Sequence, residues 1–132
     1  MNKIERFEDI IAWQKARALT KEIYAATKVS PFMKDFGLRD QIQRSSVSTM
    51  ANIAEGFERG GDKEFIQFLS NSKGSCGEVK SHLYVALDQN YIAQDAFDQL
   101  YAKSDEVSRL VAGFMGYLQN SRVGGHKFKG RH

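Results

Sequence analysis

Between Gln41 and Arg59 the chain reads QIQRSSVSTMANIAEGFER, and no other stretch restricts the fold as tightly. At helical spacing it has two faces. Leu38, Ile42, Thr49, Ile53 and Phe57 form an apolar side, flanked by Val47, Met50 and Ala54. Gln41, Arg44, Ser48, Asn52, Glu55 and Arg59 recur at steps of three and four, and such residues stack on one side of an α-helix. A solvated helix surface mixes Lys, Glu and Gln. Short polar groups between arginines instead describe a face that packs against something, which is a fold signal before it is a functional one.

The segments around it are also helical. Ile10, Trp13, Ala16, Leu19, Ile23 and Tyr24 make the apolar side of a first helix from Phe7 to about Lys28. Ser30-Pro31 ends it, because proline disfavours helical geometry in the residue before it. The same pair is expected to open a short turn over residues 32–35, with Ser30 as N-cap and Pro31 in the first helical position. The second helix then spans about Phe36 to Arg59. Gly60-Gly61 stops it, and Asp62 is expected to cap a third helix from about Lys63 to Asn90. Its seam is Phe65, Phe68, Leu69, Ser72, Cys76, Val79, Leu83, Ala86 and Leu87. A fourth helix, about Asp95 to Ser121, carries Phe97, Leu100, Ser104, Val107, Val111, Phe114 and Leu118. No segment alternates with period two between turn signals, so no strand is expected. Four amphipathic helices with short connections predict an all-α fold, an antiparallel up-down-up-down four-helix bundle over residues 1–121.

The third helix has its own polar line, Asn71, Ser75, Glu78 and His82. A hairpin about Gly60-Gly61 brings the two lines together, with Arg44 near Glu78 and Ser48 near Lys73 or Gly74. The expectation is a partly buried Arg44–Glu78 ion pair within a structural polar ladder. Gly74 and Gly77 lie in mid-helix, where each costs about 1 kcal/mol relative to alanine. Such glycines permit close approach, here by the second helix or by another subunit.

Charge narrows the partners. The 132 residues carry a net charge of +3, but four basic residues and no acid fall after Asn120. That leaves 15 basic against 16 acidic residues before the tail, so the body is nearly neutral. Residues 122–132 form a basic, Gly-containing tail, expected to be disordered. Candidate nucleic-acid contacts are Arg39, Arg59, Lys63, Arg122, Lys127, Lys129 and Arg131, although Arg59 can also pair with Glu55 one turn away. One cysteine, Cys76, permits no internal disulfide and suggests a reducing, cytoplasmic setting. No apolar run is long enough to span a bilayer, and no membrane association is expected.

Catalytic chemistry finds no foothold. A di-iron bundle needs two Glu-x-x-His motifs, whereas Glu78 precedes His82 by four and the other histidines, His126 and His132, lie in the tail. Cys76 falls on the apolar seam, and Ser75, Glu78 and His82 share one helix line rather than a cleft. Gly60-Gly61 lacks the Lys-Ser/Thr of a phosphate loop. No catalytic, metal or cofactor site is expected.

FEDIIAWQKA near the start, Gln41 with Arg44, SVSTMANIAEGFER, and EFIQFLSNSKGSCGEVKSHLYVALDQNYI together resemble the bacterial four helix bundle protein family. That family includes proteins encoded by intervening sequences within 23S ribosomal RNA genes. The similarity covers about Phe7 to Leu118, and its most specific parts are Asn52–Gly56 and Gly74-Ser75 with Glu78. Asn71-Ser72-Lys73 departs from the family's more apolar pattern, and the basic tail lies outside it. The resemblance implies an antiparallel four-helix bundle assembled into ring-like homopentamers. It also implies a likeness to the accessory variability protein of diversity-generating retroelements, which presents basic surface to nucleic acid and binds a reverse transcriptase. The expected function is a non-enzymatic homo-oligomeric scaffold, pentameric by resemblance, associated with RNA or an RNA-handling protein. A nucleic-acid-binding accessory subunit of a reverse transcriptase, on RNA or DNA, and a purely structural assembly are the alternatives.

Overall fold

The computed structural model of the protein describes residues 3–127, with side chains through residue 120. Four helices follow one another: α1 (Ile11–Thr27), α2 (Phe36–Glu58), α3 (Asp62–Asp88) and α4 (Gln94–Lys127). Short 3-10 turns, Phe7–Asp9 and Phe32–Lys34, precede α1 and α2. No strand occurs among the described residues.

Contacts between the helices fix their directions. Thr20 Oγ1 of α1 donates to the Ser46 carbonyl of α2 at 3.1 Å, while Gln43, earlier in α2, donates to Thr27, later in α1, at 2.9 Å. Phe65 meets Phe114 across α3 and α4, while Tyr84 meets Phe97. Lys103 binds Glu22 at 2.6 Å and Glu106 lies 4.0 Å from Lys15, which closes α4 onto α1. In every pair one partner advances as the other retreats. Consecutive helices are antiparallel, as the short connections predict.

The apolar stripes meet in one core. Ala16, Leu19, Ile23, Ile42, Ile53, Leu69, Cys76, Val79, Leu83, Val107 and Val111 are all buried. Each large aliphatic side chain among them contributes about 1.5–3 kcal/mol by leaving water. Small polar residues also enter the core. Ser46, Thr49, Ser72 and Ser104 are fully buried and return their hydroxyls to carbonyls, Ser72 across the α2–α3 interface to Thr49 at 2.6 Å.

The two ends of the bundle are built differently. At one end Asp35 caps α2 by accepting from the Leu38 amide at 3.1 Å, and its other carboxylate oxygen accepts from Tyr91 Oη at 2.9 Å. Phe32 stacks on Tyr91 with ring centroids 5.2 Å apart. At the other end Gly60 ends α2 at φ +84°, the left-handed region that favours glycine. Just before it, Gly56 lets α2 and α3 touch. A Cβ there would come within 2.8 Å of both Phe65 Cδ1 and Phe68 Cβ.

Several boundaries differ from expectation. The first helix is not continuous from Phe7. Asp9 accepts from the Glu5 and Arg6 amides, closing a separate 3-10 turn, and Ile10 is extended at ψ 120° before α1 begins. Pro31, not Ser30, is the N-cap of the turn at Phe32–Lys34. Gly61, not Asp62, occupies the N-cap of α3, and Asp62 lies in its first turn. The backbone of α4 continues to Lys127, into the segment that charge sets apart as a tail.

Candidate functional site: the polar face of α2 and α3

The polar lines of α2 and α3 do come together, and serines make the contact. Ser48 Oγ and Ser75 Oγ lie 2.9 Å apart. Ser45 shares its one hydroxyl proton between Glu78 Oε1 at 3.1 Å and its own helix at the Gln41 carbonyl, 2.9 Å away. Asn52 reaches back to the Ser48 carbonyl at 2.8 Å and to Ser48 Oγ at 3.0 Å. Short hydroxyl side chains hold the helices close and satisfy one another there.

The expected Arg44–Glu78 ion pair does not form. Glu78 is taken by Ser45, and Arg44 is exposed with no ion pair among the described residues. Ser45 belongs to the buried side of α2, and one residue earlier the helix has turned away from α3. A guanidinium on a long stem gains more from water than from a seam already filled by hydroxyls.

The remaining members stand at the edge. Gln41, Glu55, Arg59 and Asn71 are exposed, with Arg59 bound to Glu55 at 2.9 Å and Asn71 accepting from Gln67 at 3.3 Å. His82 is half-buried, and its Nδ1 is enclosed without a hydrogen-bond partner among the described residues. Burial lowers its pKa from the ordinary histidine value, against an opposing pull from Glu78. Beside Ser75, both Gly74 and Gly77 face open space, with no atom of the described residues within 4 Å of the position a Cβ would take. They are therefore not there to admit α2. The close approach made by glycine occurs at Gly56, a position to which helical periodicity gives no prominence.

Chemically this face holds α2 and α3 together. The serines engage each other, backbone and the Glu78 carboxylate, and among the described residues none of them is hydrogen-bonded to an imidazole. Cys76 is buried, donates to the Ser104 carbonyl at 3.0 Å, and has its thiol pushed up to about 11 by burial. Among the described residues no group of three or more His, Cys, Asp or Glu could hold a metal ion. No helix of the described residues is long and apolar enough to cross a membrane.

Of the candidate nucleic-acid contacts among the described residues, Arg39 stands apart from Arg59 and Lys63. Arg39 binds Asp40 at 3.1 Å, donates to the Met33 carbonyl, and lies over the Phe36 ring at 4.8 Å. Arg59 lies over Phe68 at 5.1 Å as well as on Glu55. Twenty helical residues separate these arginines, about 30 Å along the bundle. Lys63 is exposed near Arg59 and makes no ion pair among the described residues. The side chains of Arg122, Lys127, Lys129 and Arg131 lie outside the described residues.

Comparison with known proteins places the fold. The chain resembles a protein of unknown function from the S23 ribosomal protein family of Bacteroides thetaiotaomicron VPI-5482, whose crystal structure was determined at 1.70 Å. The two share 22% identity at a TM-score of 0.73, over 80% of this chain and 98% of that one. No curated protein matches. The family model of the 23S rRNA-intervening sequence protein matches residues 8–113. That span takes in α1, α2, α3, the seam between α2 and α3, and more than half of α4, and the chain belongs to this family.

Proposed function

We propose that the protein is a non-enzymatic cytoplasmic scaffold that assembles with copies of itself, as a pentamer, and serves RNA or an RNA-handling protein. The observation that carries this reading is the pair Gly74 and Gly77. Each weakens α3 by about 1 kcal/mol relative to alanine, and neither is needed for packing within the chain. Two glycines facing outward beside Ser75 leave a shallow surface on which a helix of another copy fits closely. Val47 on α2 and Val85 on α3 are exposed apolar residues of the same hairpin.

Sedimentation of the full chain tests the assembly. A pentamer is expected at micromolar concentration, and a monomer there overturns the reading. Gly74→Leu with Gly77→Leu raises helix propensity, so the fold persists while the bulk added to the surface dissociates the oligomer. Filter retention of RNA and of DNA at rising salt tests the partner, since phosphate contacts lose affinity steeply with salt. Retention of neither nucleic acid at low salt leaves a purely structural assembly. Co-purification with a reverse transcriptase favours the accessory-subunit alternative.

A further inference from the structure

At the Gly60 end of the bundle a cleft of about 950 Å³ opens between the N-terminal segment, the α2–α3 turn and α4. Ile4, Ile11, Phe57, Phe65, Phe114 and Tyr117 line it, and Ile11 and Tyr117 are 54% and 57% exposed. Apolar surface gathered into one concavity marks a binding site more often than scattered exposed residues do.

The charges around the cleft are unbalanced. Residues 3–9 and 55–64 carry seven acids against four bases, and two of those bases, Arg6 and Arg59, are already bound to Asp9 and Glu55. Residues 114–120 of α4 carry no charge. Past Leu118 on the cleft wall the α4 backbone runs on to Lys127, so the last residues of the chain begin at this same end. Residues 121–132 read SRVGGHKFKGRH, with four basic residues, no acid, and one aromatic, Phe128, between Lys127 and Lys129. An apolar cleft with an acidic surround faces a segment that holds an aromatic between two lysines.

We propose that this cleft is the docking site of the chain's own C-terminal segment, with Phe128 in the apolar pocket and its flanking lysines against the acids of the α2–α3 turn. Reach permits it. Helix through Lys127 carries position 128 about 15 Å past Leu118. Gly124-Gly125 offers the place to turn back, since glycine is the residue least suited to helix after proline. Gly124 stands about 9 Å beyond Leu118 at helical rise. Residues 125–128, extended, span about 13 Å, enough to return. The docked form exchanges the last turn of α4 for burial of Phe128 and pairing of its lysines. It also withdraws those lysines from any phosphate, so docking and nucleic-acid binding by the tail compete.

Methyl NMR of the full chain tests this, with Ile4 and Ile11 reporting on the cleft and Ile92 on the opposite end. The docked aromatic ring shifts the Ile4 and Ile11 methyl signals and gives cross-relaxation from Phe128 to Ile11. Phe128→Ala removes both effects and leaves Ile92 unmoved, Phe128→Trp restores the shift, and Lys127→Glu with Lys129→Glu weakens it. Phe128→Ala without any change at Ile4 and Ile11 overturns the proposal. Cross-relaxation seen only between chains, in a mixture of labelled and unlabelled protein, also overturns it by assigning the cleft to the tail of a second copy.

Discussion

Ser45 Oγ donates to Glu78 Oε1 at 3.1 Å across the α2–α3 seam, in the place where helical spacing predicts an arginine. Arg44, one residue earlier, stands in solvent. A double-mutant cycle on Ser45→Ala and Glu78→Ala should give a coupling of about 0.5–1 kcal/mol by urea denaturation. The same cycle on Arg44→Ala and Glu78→Ala should give a coupling close to zero. A larger coupling to Arg44 than to Ser45 contradicts a seam closed by hydroxyls.

The glycines of the hairpin separate into two kinds, and alanine distinguishes them. Gly56→Ala drives a Cβ into Phe65 and Phe68 and should cost about 1–3 kcal/mol of folding stability. Gly74→Ala and Gly77→Ala meet nothing within 4 Å and should each stabilise the isolated subunit by about 0.5–1 kcal/mol. Chemical denaturation of the three single variants, under conditions where the chain is monomeric, measures both signs.

His82 makes the seam sensitive to acid. Burial depresses its folded pKa below the unfolded value near 6.5, so the fold favours the neutral ring. Its stabilisation is complete above the unfolded pKa and is lost as pH falls through the folded one. Stability should therefore drop as pH falls below about 7. His82→Gln should flatten that slope, and an unchanged slope in the variant assigns the pH dependence elsewhere.

Cys76 should be inert in the native protein. With its thiol pushed up to about 11, about one molecule in a thousand carries a thiolate at pH 8, and the sulfur is buried. A disulfide reagent should label the chain only after denaturant is added. Rapid labelling of the native chain would show that this part of the core opens readily.

Much of the fold was legible because the apolar stripes are long and the breaks are chemically plain. Counting back from Gly60-Gly61 put Ser48 within two residues of its partner, Ser75. Side-chain choice at that register was less legible. Periodicity assigns a residue to a helix side, but it does not say that a hydroxyl nearer the partner helix will satisfy Glu78 before a longer arginine does. The break at Ile10 escaped because the apolar pattern runs through it, and only the pull of Asp9 on two preceding amides betrays it. Gly56 escaped for a similar reason. A glycine inside NIAEG looks like a tolerated helix residue until two phenylalanines arrive from the other arm of the hairpin. The tail could be singled out by charge, whereas the cleft beside it depends on three segments distant in sequence.

Asp35→Ala removes the cap of α2 and the acceptor of Tyr91 in one change, and should cost about 1 kcal/mol or somewhat more by thermal denaturation. Tyr91→Phe removes only the second contact and should cost less.

That one carboxylate also gives the bundle a mechanical polarity. Asp35 ties the start of α2 to the corner between α3 and α4, so three helices are clasped at a single point. Among the described residues the opposite end has no matching clasp, because Gly61 caps α3 without a side-chain hydrogen bond and Gly60 supplies only a bend. Local opening therefore starts at the glycine end and runs toward Asp35, as a zip fastened at its base parts from the top. Amide exchange graded along α2 and α3, fastest beside Gly60, is the trace such an order leaves, and it puts the yielding part of the molecule beside the cleft.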